Sequence, residues 1–171
     1  VLLVHASLAA AELNEAQRLA GLCRVWGLLK YYHNNVSGGR LDWNQELLEM
    51  IPGVKAAGDS DAYQEQLLQL LRKAGYAETF RFLVPEGSFA NVDWQWLDNA
   101  PFMSPLLSSL LKGVRDSHDA SRQFYYEPEF DTGNLKFRQD MKAGTLTWER
   151  EEVRLLALFC FWNVIEYFAP N

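Results

Sequence analysis

The chain is poor in the residues that most often carry chemistry. It has two cysteines and three histidines in 171 residues. No His-Glu-x-x-His or Cys-x-x-Cys spacing occurs, which removes the usual zinc signatures. There is no glycine-rich phosphate loop and no G-x-S-x-G elbow. No basic stripe is visible, and the net charge is −6. Phosphate backbones are bound by clustered Lys and Arg, so nucleic acid is not an expected partner. No apolar run is long enough to span a membrane. No cofactor is expected.

The scarce residues have ordinary readings. Two cysteines are too few for a disulfide framework. Cys23 and Cys160 fall inside apolar helical patterns and read as buried small hydrophobes. His33 falls at a helix end, where a cation is favoured. His118 is distant in sequence, and His5 lies in the first few residues. Ser109-Leu110-Leu111-Lys112 matches the S-x-x-K pattern of some acyl-transfer enzymes, but Ser-Asp-Asn and Lys-Thr-Gly are missing. It reads as a solvated helix face. Glu127, Glu129 and Asp131 form an acidic turn without the ordered oxygen ligands of a calcium loop. Nothing assembles a nucleophile, a base and an oxyanion site, so no catalytic residue is assigned.

Aromatic side chains are plentiful, with 6 Trp, 7 Tyr and 10 Phe. Rings bury large areas, so the core is expected to be built on them. The chain opens on "VLLVHASLAAAE", apolar and then small. This is the pattern of a secretory-signal tail with a small-x-small cleavage site. Residues 1–11 are therefore expected to be a signal remnant, 12–171 the folded part, and the protein exported to the periplasm or cell envelope.

The periodicity predicts a mainly α, bundle-like domain with long aromatic loops. A helix starts at Asn14, with Gln17 completing a capping box, and runs to about Tyr32. Leu19, Leu22, Cys23, Trp26 and Leu29 share one face. Further helices are expected over Asp42–Ile51, stopped by Pro52 and Gly53, and over Ser60–Ala74, capped by Ser60 or Asp61. Two more fit Ser104–Val114, with Pro105 in the first turn, and Thr147–Phe168. "TFRFLV" alternates like a short strand, and one helical turn fits Trp94–Leu97. Residues 115–144 are expected to form an ordered loop or a small hairpin.

One internal repeat stands out. Shifted by 136 positions, Arg18, Leu19, Leu22, Trp26, Tyr31 and Asn35 meet Arg154, Leu155, Leu158, Trp162, Tyr167 and Asn171. Leu28, Leu29 and Tyr32 meet Val164, Ile165 and Phe168. Two copies are too few for a solenoid. Either two amphipathic aromatic helices simply look alike, or the copies imply a duplicated helical unit or two helices with equivalent docking roles, so Trp26, Tyr31, Tyr32, Trp162, Tyr167 and Phe168 are candidate core or domain-docking aromatics. Trp94, Trp96, Tyr125 and Tyr126, with Trp43 and Trp148, are candidates for an exposed recognition surface, although core packing is the simpler reading for most of them.

"RLAGLCRVWGLLKYYHNN" followed by "LDWNQELLEMIPGV" resembles the N-terminal region of exported tail-specific (C-terminal-processing) serine peptidases of the Bacteroidetes type. "NVDWQWLDNAPFMSPLLSSLL", "FYYEPEFDTGNLKFRQD" and "RLLALFCFWNVIEYFAPN" resemble its later blocks, in order. The likeness covers about Gln17 to Asn171. It departs at "YYHNN", where a proline would follow His33. The resemblance implies a non-catalytic helical accessory domain, with the Ser/Lys peptidase part of the parent chain as its partner and a polypeptide as substrate. It implies docking, substrate gating or assembly as the role. A free-standing helical module for peptide or glycan is the alternative.

Overall fold

A computed structural model describes residues 12–75, 92–129, 134–138 and 147–169. The expected signal remnant and the "TFRFLV" strand lie outside these residues. The described residues form seven helices and one two-stranded hairpin, a mainly α fold. The helices are α1 (Glu15–Tyr32), α2 (Asn34–Ser37), α3 (Trp43–Ala56), α4 (Ser60–Ala74), α5 (Trp96–Asn99), α6 (Pro105–Asp116) and α7 (Glu151–Phe168). The hairpin pairs β1 (Tyr126–Pro128) with β2 (Leu135–Phe137), antiparallel, with Tyr126 opposite Phe137.

Helix α1 is the central element, and α3, α4, α6 and α7 all pack on it. Its start is set by the capping box: Gln17 N–H donates to Asn14 Oδ1, and Asn14 N–H donates to the Gln17 side chain. These bonds satisfy two amides that the helix leaves open. From Gly21 onward nearly every residue is buried, including Lys30. A helix buried all round has to be the core of its bundle.

Several boundaries differ from the sequence reading. Helix α3 does not stop at Pro52 but runs to Ala56. Pro52 removes one hydrogen bond, yet it sits on the exposed side while Leu47, Ile51 and Val54 continue the buried stripe. Asp59 caps α4, not Ser60 or Asp61, because its carboxylate accepts from Ala62 N–H at 2.7 Å. Past the end of α1, residues 34–37 form the short helix α2. Asn34 holds it in place, donating to Ser117 O at 2.9 Å and accepting from Asp119 N–H at 3.0 Å. Helix α7 starts at Glu151, four residues later than Thr147.

Helices α1 and α7 run side by side in the same direction, in the register of the repeat. Lys55, at the end of α3, pairs with the first residue of each, Glu15 at 3.4 Å and Glu151 at 2.8 Å. Gly27 lies against Asn163, and Tyr31 meets Tyr167 with ring centroids 5.8 Å apart. Each pair is 136 positions apart. Residues matched by the repeat thus face each other, the arrangement of a local two-fold axis running along the pair. At its closest point one side must be small, and Gly27 fills that role opposite Asn163. A Cβ on Gly27 would lie 1.8 Å from Asn163 Oδ1. Asn163 is fully buried and donates to Cys23 O at 3.2 Å and Phe159 O at 2.8 Å.

Candidate functional site

The motif with the most catalytic promise does not assemble. Ser109 is exposed on α6, and Lys112 makes its ion pair with Asp98 rather than a bond to Ser109. Among the described residues no group of three or more His, Cys, Asp or Glu side chains is placed to hold a metal. Glu127 is held by Arg138 at 3.4 Å and Lys136 at 4.0 Å. Asp131 lies outside the described residues. No described helix is long and apolar enough to cross a membrane.

The two histidines among the described residues are both buried. His33 ends α1, as the sequence suggests, but burial there disfavours the cation. It is 2% exposed, and its Nε2–H donates to Gly75 O across 3.2 Å. Gly75 itself sits at φ +89°, the left-handed region that favours glycine at the end of α4. Burial lowers the affinity of His33 and His118 for a proton. Above the unfolded-state value near 6.5 both states are neutral and stability is full. Below it the unfolded chain binds protons that the native state resists, so stability falls as pH falls toward the lowered native values. We expect the melting temperature to drop between pH 7.5 and 5. His118→Gln should flatten that slope; an unchanged slope would assign the effect elsewhere.

The candidate aromatics divide into three groups. Tyr31, Tyr32, Tyr167, Phe168, Trp94, Tyr125 and Tyr126 form one cluster where the ends of α1 and α7 meet the hairpin. Tyr31 lies 5.0 Å from Phe168 and 6.2 Å from Tyr125, and Tyr32 lies 5.1 Å from Trp94. Edge-to-face geometry is common among these pairs, as ring quadrupoles favour. The amide of Gln123 ties the loop down by donating to Tyr31 O at 3.1 Å. Trp96 forms a second group with Phe102 and the Arg24 guanidinium, which lies 5.9 Å from its ring.

These placements decide for core packing against an exposed recognition set. Trp96 and Tyr125 are buried, and Trp94 and Tyr126 are half-buried. Trp43 is also buried. Tertiary packing covers the loops that carry them, because large rings gain most by leaving water. Trp148 alone of these is well exposed.

The third group is the pair of repeat tryptophans, and here the two copies part. Trp26 is fully buried, and its indole N–H donates to Trp43 O at 2.9 Å while Trp43 returns a bond to Trp26 O at 3.1 Å. Trp162 is 44% exposed. With Leu158, Phe161 and Ile165 it forms a stripe at i, i+3, i+4 and i+7 along the outer face of α7. All four are between 44% and 64% exposed. A monomeric helix normally turns such a stripe inward. Beside it opens a groove of about 660 Å³, lined by Ala20 and Arg24 of α1, Trp96 and Phe102, and Leu158 and Trp162.

The periodicity of α7 carried the signal for this face, since apolar residues occupy both sides of the helix. Lys30 and Asn163 were not singled out from sequence. Lys30 is buried with its ammonium 4.8 Å from the Trp26 ring and 4.6 Å from Tyr125, a cation–π site. Asn163 could have been found as the residue opposite Gly27 in the repeat.

The cysteines also differ. Cys23 is buried and its thiol is pushed up to about 12 by desolvation. Cys160 is half-buried, not fully as its pattern suggested. Thiolate is the reactive form. A disulfide-exchange reagent should therefore titrate one thiol quickly in the native protein and two after denaturation; two fast thiols would contradict this packing.

No family model, curated protein or solved structure matches the chain.

Proposed function

We propose that this chain is a non-catalytic helical accessory domain of an exported serine peptidase, which docks on the peptidase part of its parent protein. The observation that carries the reading is the open apolar stripe of α7. Contiguous apolar surface rimmed by polar residues marks an interaction site. Lys112 is paired with Asp98 rather than bonded to Ser109, which favours a docking role over chemistry in this chain. The sequence blocks that resemble the peptidase family supply the partner.

The test is to mix the domain with the peptidase part of the parent protein and follow co-elution. The expected result is a stable complex that Trp162→Glu separates while the helical content is unchanged. No complex would sink the reading. So would hydrolysis of an unfolded protein by the domain alone, blocked by a serine-directed inhibitor.

A free-standing module for peptide or glycan is the second reading. The groove beside Trp162 favours it, because the buried indole N–H of Trp96 on its wall has no acceptor among the described residues. Peptide or glycan binding by the domain, lost in Trp96→Phe and indifferent to the peptidase part, would put this reading ahead.

A further inference from the structure

The residues shared by the repeat have a visible job in the first copy. Arg18 Nε donates to Val54 O at 3.0 Å and its Nη2 to Lys55 O at 2.9 Å, so it holds the last carbonyls of α3. At the other end Trp26 exchanges two hydrogen bonds with Trp43, the first residue of α3. Helix α3 therefore lies antiparallel on α1. Leu22 and Val25 lie between these two anchors and Leu29 just beyond Trp26, all on the same face of α1 and fully buried. A guanidinium suits that place, because the C-terminal end of a helix is its negative end.

The same set recurs on α7 as Arg154, Leu158, Phe161, Trp162 and Ile165. Those four apolar residues are the exposed stripe. Arg154 Nη1 donates to Trp148 O at 2.7 Å and Glu149 O at 3.0 Å, as Arg18 Nη1 donates to Leu13 O at 2.6 Å. The Nε and Nη2 of Arg154, which in Arg18 grip α3, have no acceptor among the described residues. The local two-fold carries α3 onto this second face, against the groove between Ala20, Arg24, Leu158 and Trp162.

We propose that this face seats an antiparallel amphipathic helix with an aromatic residue in its first turn, supplied by the polypeptide on which the domain docks. Its C-terminal carbonyls rest on Arg154, and its aromatic side chain meets Trp162. The proposal rests on the docking reading above and names the form of the partner. The stripe from Leu158 to Ile165 carries no charge, and Arg154 stands at the end where an antiparallel helix presents its negative pole, while Arg24 on the groove wall lies by the Trp96 ring.

The test uses the one helix known to fit this pattern, a synthetic peptide of residues 42–57, titrated into the whole domain labelled with 5-fluorotryptophan. The expected result is saturable binding that shifts the Trp162 fluorine signal and leaves that of Trp26 in place. Trp162→Ala and Leu158→Asp should each weaken binding about tenfold or more, and Trp148→Ala should not. Absence of binding, with the peptidase part still held through Trp162, would overturn the helical partner and leave the docking reading standing. Absence of both would overturn both. Concentration-dependent dimerisation abolished by Trp162→Glu would give the face to a second copy and overturn the proposal.

Discussion

Trp26→Ala is expected to destabilise the domain by about 3–5 kcal/mol, while the matching Trp162→Ala changes stability by less than about 1 kcal/mol. The two tryptophans hold the same place in the repeat, yet their surroundings differ. Trp26 is fully buried and bonded to Trp43 in both directions. Removing it empties a large volume and leaves Trp43 O without its donor. Trp162 is partly in water already, so truncation forfeits little. For a domain of this size the first change lowers the melting temperature by on the order of 10 °C, and the second by a few degrees at most. Equal losses at the two positions would mean that the second stripe is also packed.

The second large effect lies where α1 and α7 touch. Gly27→Ala is expected to cost about 3 kcal/mol, because its new Cβ would sit inside the Asn163 side chain, 2.1 Å from Cγ. Helix α7 would have to retreat and give up the bonds from Asn163 to Cys23 O and Phe159 O. Asn163→Ala alone loses those bonds and is also destabilising, by about 2 kcal/mol. The double variant removes the clash. Its loss should fall short of the sum of the singles by about 2 kcal/mol, a coupling that denaturant unfolding resolves. Simple additivity would show that the two residues do not face each other.

Much of the fold was legible because its signals are local. The capping box at Asn14, the proline in the first turn of α6 and the heptad-like stripes depend on neighbours a few residues away. Errors arose where tertiary contacts outweighed local preference. Pro52 looked like a stop, but the buried stripe beyond it keeps α3 helical. His33 does end α1, where a cation is favoured, but the surrounding core buries it and disfavours the charge. For Trp96 and Tyr125 core packing and an exposed recognition surface both stayed open, because nothing in a sequence says which loop folds back over a core.

The candidate site was half legible. The repeat pointed to Trp26 and Trp162 as equivalent positions, and sequence alone gave no reason to separate them. Their difference depends on what lies across from each: α3 covers one copy, and nothing among the described residues covers the other. Leu158, Phe161 and Ile165 therefore gained meaning only with the exposure of α7 in hand. The alanine or glycine expected at a close helix contact was equally hidden, since Gly27 is one of eleven glycines until Asn163 is placed against it.

The central claim is that the outer face of α7 is covered when the domain works. Hydroxyl-radical footprinting of the domain, alone and with the peptidase part, tests it most directly. Phe161 and Trp162 should be labelled in the free domain and protected in the complex. Trp148 should be labelled in both states, and Trp26 in neither. Equal labelling of Phe161 and Trp162 in the two states would contradict the account.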